Sequence, residues 1–92
     1  MDMIQIPQEI IHFFNEDGQL KSWPAKRRKK LHAIAYLAEK FEDGREYSEK
    51  EVNQLLNEWH TFEDAALLRR ELFENRRLNR TVDGSAYWKE QK

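Results

Sequence analysis

The chain has no cysteine among its 92 residues. That excludes disulfides, thiolate nucleophiles and cysteine-bound zinc, and a cytoplasmic setting is the easier expectation. Glycine and proline are also scarce, at three and two residues, so no glycine-rich phosphate loop can form and each breaker carries weight as punctuation. Net charge is −1, so the whole molecule offers no positive field to an anionic partner. No apolar run approaches the roughly 20 residues of a membrane span. The opening MDMIQIPQEIIHFF lacks the basic start of a signal peptide, and no membrane partner is expected. His12, His32 and His60 stand too far apart to form a metal-spaced group, and no nucleophile has a base at a recognisable spacing. The expectation is a protein that is not an enzyme and holds no cofactor.

What the chain does have is periodic apolar residues broken at well-marked points. Pro7 suits the first turn of a short helix with Ile10, Ile11, Phe13 and Phe14 on its apolar face, ended by the turn-forming Asn15-Glu16-Asp17-Gly18. Gln19-Leu20-Lys21 reads as extended, and Ser22 or Trp23 as the cap of a long helix from about Pro24 to Phe41. Leu31, Ile34, Ala35, Ala38 and Phe41 make its apolar stripe, with Leu37 beside it, and Gly44 stands ready for a left-handed end. Arg45-Glu46-Tyr47 is a short strand, and Ser48 with Glu51 three residues on has the form of a capping box. Val52, Leu55, Leu56 and Trp59 make the buried stripe of the next helix, with Asn53 off it.

His60-Thr61 breaks the chain, and Thr61 with Asp64 repeats the capping pattern more weakly. A further helix from about Phe62 to Glu74 places Ala65, Leu68 and Leu72 on one face. Leu78–Val82, Asp83-Gly84 and Ser85–Lys89 then read as a hairpin closed by a two-residue turn. That loop pairs Val82 with Ser85, Arg80 with Tyr87, Asn79 with Trp88 and Leu78 with Lys89, sending Leu78, Val82 and Tyr87 to one face.

The fold class read from this order is mainly α with a small antiparallel β-sheet, a winged helix-turn-helix preceded by an extra N-terminal helix. One domain spans 1–92: N-terminal helix and turn over 1–23, long helix over 24–44, strand and helix-turn-helix over 45–75, and wing hairpin over 77–90.

Charge is unevenly spread. Residues 25–41 carry six basic and one acidic side chain, while residues 42–61 carry two basic and six acidic. Lys26-Arg27-Arg28-Lys29-Lys30 opposes the dipole at the start of the long helix, so local stability does not explain it. It is either a solvated face or a patch that contacts phosphates.

Several stretches together resemble a bacterial domain family of unknown function, found alone or joined to winged-helix transcriptional regulators. They are DGQLKSWPAKRRKK (Asp17–Lys30), REYSEKEVNQLL (Arg45–Leu56), DAALLRREL (Asp64–Leu72), LNR (Leu78–Arg80) and DGSAYW (Asp83–Trp88). The resemblance runs from about Phe14 to Trp88 and implies a winged-helix-like fold and transcriptional regulation, with no ligand attached. The family tends to carry glycine after the third helix where this chain has Arg76, which leaves Asn75 as the expected left-handed residue.

Two functions follow from different readings of the same scaffold. In the first, the third helix and wing bind double-stranded DNA. Arg69 and Arg70 lie on the helix, Arg77, Arg80 and Lys89 around the wing, and Lys26, Arg27, Lys29 and Lys30 position phosphates. One of Arg69 and Arg70 pairs instead with Glu46, Glu51 or Asp64 on the alternative reading of that helix. Against DNA stand Glu63, Asp64, Glu71 and Glu74, which work against counterion release. In the second, the scaffold binds a protein partner or its own copy as a homodimer, which suits the acidic third helix and the aromatics Tyr36, Phe73 and Trp88.

Overall fold

A computed structural model describes residues 6–90; the parts of the expected domain at 1–5 and 91–92 lie outside the described residues. A 3-10 helix, Gln8–Phe13, is followed by α1 (Arg27–Ala38), β1 (Glu46–Tyr47), α2 (Glu49–Asn57), α3 (Ala65–Glu74), β2 (Leu78–Arg80) and β3 (Tyr87–Lys89). The strands form one antiparallel sheet in the order β1-β3-β2. The architecture is mainly α with a small sheet, in the element order expected. Among the described residues no helix is long and apolar enough to cross a membrane.

One cluster of buried side chains joins every layer. Ile10, Leu20, Ile34, Leu37, Leu56, Leu68, Leu72 and Leu78 are all essentially sealed from water. Burial of such residues contributes about 1.5–3 kcal/mol each relative to exposure, and in so small a chain that term dominates. α3 presents Leu68 and Leu72 to this cluster, so its facing is as the spacing predicts.

The turn between α2 and α3 is held by hydrogen bonds from two directions. Leu20 runs beside it, its N–H donating to Trp59 O at 2.8 Å and its C=O accepting from Thr61 N at 3.0 Å. His60, buried in the turn, has Nδ1 2.7 Å from Leu56 O and Nε2 2.9 Å from Asp64 N. A carbonyl only accepts and an amide only donates, so the ring carries its proton on Nδ1 and leaves Nε2 bare. The N-terminal turn docks on the same region, as Tyr36 donates to Gly18 O at 2.8 Å. Gly18 has φ +78°, and a Cβ there would come within 3.1 Å of the Tyr36 oxygen.

Several expectations need correction. α1 starts at Arg27 with Lys26 at its cap position, neither Ser22 nor Trp23, and it ends at Ala38 rather than running over 24–41. Pro24 is buried instead of opening the helix. Gly44 does take φ +76°, but beyond a turn that follows the helix end. α1 is also rotated from the expected stripe, with Ala33 and Tyr36 buried, Ala35 half-buried and Leu31 exposed. Ile11 is exposed too, because a 3-10 helix advances side chains by about 120°, which puts Ile10 in the core and Phe13 half-buried against it.

The capping box at Ser48 and Glu51 is formed as expected, with both reciprocal bonds present. α3 does not begin at Phe62. Glu63 takes φ +56° and Asp64 becomes the cap, its Oδ1 accepting from Leu67 N, which displaces Thr61 from that role. The strand register is as expected, yet the hairpin loop is four residues, Val82 to Ser85, and only Gly84 has positive φ (+75°). Thr81 explains the difference: its Oγ1 donates to Asp83 and accepts from Ser85 N and Ala86 N, so Val82 leaves the pairing and stands free in solvent.

Arg76, and not Asn75, takes the left-handed position after α3, with φ +63°. The end is a full Schellman arrangement, Arg77 N–H to Leu72 O at 2.8 Å and Arg76 N–H to Phe73 O at 3.1 Å. Asn75 instead turns its side-chain amide back onto Glu71 O. A left-handed non-glycine residue costs about 1–2 kcal/mol, partly offset by the chain entropy that glycine loses. Arg76→Gly should therefore raise stability by about 0.5–1 kcal/mol and Arg76→Val should lower it, read as opposite shifts of the urea midpoint.

Lys40 is a second strained point. Its Nζ is shielded from solvent and has no hydrogen-bond partner among the described residues, 3.6 Å from the centroid of the Trp59 ring and 4.5 Å from that of Tyr36. Burial lowers its pKa below the usual value, so folding disfavours the ammonium. The destabilisation is complete below the folded-state pKa and is relieved as pH climbs toward the unfolded-state value. Lys40→Met removes that dependence, so the Tm difference between variant and parent should shift in the parent's favour as pH rises toward about 10, the ordinary lysine range.

Candidate nucleic-acid interface

The nine cations expected at an interface fall into separate groups. Lys26, Arg27, Lys29 and Lys30 crowd the start of α1, whose first turn has no acidic residue of its own. Lys29 lies 5.8 Å from the Phe13 ring, and the neighbouring Arg28 pairs with Glu9 at 2.9 Å, so this cluster packs on the 3-10 helix. Lys89 sits at the opposite end of α1. It is largely buried and reaches Asp43 at 3.2 Å and Glu39 at 3.7 Å. With a rise of 1.5 Å per residue, the two ends of α1 are roughly 18 Å apart. The basic patch and the strand β3 cation therefore do not form one surface.

Arg69 and Arg70 have different fates although they are adjacent. Arg69 points back to α2, donating to Asn53 Oδ1 at 2.6 Å and pairing with Glu49 at 3.6 Å, with only 15% of its side chain exposed. The partner is Glu49, rather than Glu46, Glu51 or Asp64. Asn53, set off the buried stripe, supplies the contact that ties the two helices. Arg70 is rotated by about 100° along the helix and faces solvent. Among the described residues it makes no ion pair and no hydrogen bond.

Arg80 is also occupied. Its guanidinium lies 4.6 Å from the Phe73 ring and donates to the carbonyls of Thr81 and Val82, both at 3.1 Å. It thereby fastens the hairpin turn to α3. Arg77 is half-buried, its backbone carbonyl accepting from Glu90 N at 2.9 Å. Asp83, at the hairpin tip, stays ionised: hydrogen bonds from Ser85 and Thr81 hold its carboxyl below the usual value.

Between α3 and the hairpin runs an open groove of about 340 Å³, lined among others by Arg70, Glu74, Arg80, Asp83, Glu49 and Phe73. Its charges are balanced, with acids facing arginines. Of the expected interface, the fold brings Arg69, Arg70 and Arg80 to this groove. It leaves Arg77, Lys26–Lys30 and Lys89 outside it. Sequence reasoning missed Glu49 and Asn53 as the residues that consume Arg69; only the helix crossing places them within reach.

A family model matches residues 19–89, most of the chain and every candidate cation. The chain belongs to the family described as an uncharacterized protein conserved in bacteria (DUF2087). The matched span begins after the Asn15–Gly18 turn and takes in Leu20, so the segment pinning the α2–α3 turn is part of the family domain. No match was found among curated proteins or among solved structures.

Arg69→Ala leaves the half-buried Asn53 Oδ1 without its donor and should cost about 1–3 kcal/mol, read from the urea midpoint. Arg70→Ala, at an exposed site without partners, should stay within about 0.5 kcal/mol of the parent in the same chemical denaturation.

Proposed function

We propose that this DUF2087 protein is a winged helix-turn-helix that binds double-stranded DNA as a transcriptional regulator, with α3 presented to the major groove and β2–β3 as the wing. The observation that carries the reading is the placing of α3. Its apolar edge is buried on the core, its other edge carries Arg70, unpaired among the described residues, and Arg80 holds the hairpin turn beside it. The cations that make no ion pair among the described residues, chiefly Lys26, Arg27 and Lys30, would supply sequence-independent phosphate contacts. The reading needs no cofactor and no catalytic step.

The balanced charge of the α3–hairpin groove favours a second reading, a protein-binding surface that uses the same helix, with a homodimer as one case. Fixed acids beside Arg70 suit a partner that brings both signs of charge.

Fluorescence anisotropy with mixed-sequence duplex separates the two. About four phosphate contacts would weaken binding roughly a hundredfold between about 50 and 200 mM salt. Charge reversal at Lys29 and Lys30 should weaken binding to all sequences and flatten that slope. No binding at the lower salt would remove the DNA reading and leave the protein partner.

A further inference from the structure

The part of α3 left for a partner is narrow, and its chemistry is specific. The four acids that made the third helix look hostile to DNA do not share one face. Glu63 and Asp64 precede the helix, and Asp64 is consumed as its cap. Glu71 is half-buried and accepts from the Asn75 amide at 3.3 Å. Arg69 is tied to α2, and Leu68 and Leu72 are sealed in the core. Within α3 the fully solvent-facing residues are Arg70 and Glu74, one turn apart, and neither makes an ion pair among the described residues. Ala66, one turn before Arg70, is too short to hold a partner away.

We propose that Arg70 and Glu74 are a base-reading pair for two G·C pairs about two positions apart in the major groove. This rests on the DNA reading above and names what that site recognises. Arg70 donates two N–H groups to O6 and N7 of a guanine, and Glu74 accepts from the N4 amino group of a cytosine. Residues four apart advance about 6 Å along a helix, which is close to two base-pair steps of about 3.4 Å each. The two contacts therefore fall on base pairs about two positions apart within one site. A phosphate-gripping role fits worse, because a carboxylate one turn away cancels the potential that attracts phosphate. The pair does not satisfy itself strongly either, since arginine placed N-terminal to glutamate is the weaker orientation at this spacing. A guanidinium fork and a carboxylate side by side are a donor and an acceptor that match the guanine and cytosine edges.

The test is anisotropy at low salt with duplexes that differ only in a central alternating G·C or A·T tract. The parent should prefer the G·C duplex about tenfold, the scale of one bidentate base contact. Replacing guanine by 7-deazaguanine removes the N7 acceptor without changing charge and should erase most of that preference. Arg70→Ala should be indifferent to the replacement. Glu74→Ala should lose preference for G·C while binding the A·T duplex somewhat more tightly, because a carboxylate has left a surface near phosphates. Both sites are exposed, and circular dichroism checks that each variant folds. Equal parental affinity for the two duplexes, no effect of 7-deazaguanine, or equal weakening of both duplexes by Arg70→Ala would each overturn the pair while leaving DNA binding intact. Absence of binding to either duplex would overturn the pair together with the DNA reading beneath it.

Discussion

The angle between α2 and α3 rests on hydrogen bonds that converge on one turn. Leu20 brackets it through backbone bonds to Trp59 and Thr61, and His60 joins the last turn of α2 to the cap of α3. Leu20 and His60 are buried, so losing a partner would leave a polar atom of theirs unsatisfied, at a cost above the net worth of one bond. Everything α3 can present follows from this constraint. With the turn fixed, Leu68 and Leu72 meet the core, Arg69 meets Asn53, and Arg70 has nowhere to go except outward.

The same logic sorts the charges. Counted along the sequence, the basic residues form two clusters and the acidic ones a middle belt. In three dimensions many are spent on holding the fold: Arg69 on α2, Arg80 on the hairpin turn, and Lys89 on the far end of α1. Exposed ion pairs are individually weak, but Arg69 and Lys89 are mostly shielded and act where screening is reduced. The surface left over is smaller and more specific than the charge count implies. Lys26 to Lys30 concentrates charge against the helix dipole, with Arg28 alone of the five paired, to Glu9, among the described residues.

Legibility followed the range of the interaction. The Ser48–Glu51 capping box, the strand register and the core facing of α3 were all readable, because each depends on residues within a few positions or on a fixed period. The hairpin loop was misjudged since Asp83-Gly84 gave a strong two-residue signal while the Thr81 hydroxyl built a wider turn. Leu31 was misplaced because a stripe of apolar residues does not say which of two neighbouring faces the core will choose. Arg76 took the left-handed position that Asn75 was better suited to, since the Schellman bonds fix that position one residue past the cap. Of the candidate interface, the residue types were visible and their availability was not.

The sequence by itself determined the element order, the family and the absence of cysteine chemistry, because spacing, turn residues and composition are properties of the chain alone. Only the tertiary structure decided which cations are free. An arginine at one position and its neighbour differ by about 100° of helix rotation, and whether each meets a carboxylate or water depends on what the fold has packed opposite. That is why Arg69 became part of the scaffold and Arg70 part of the surface.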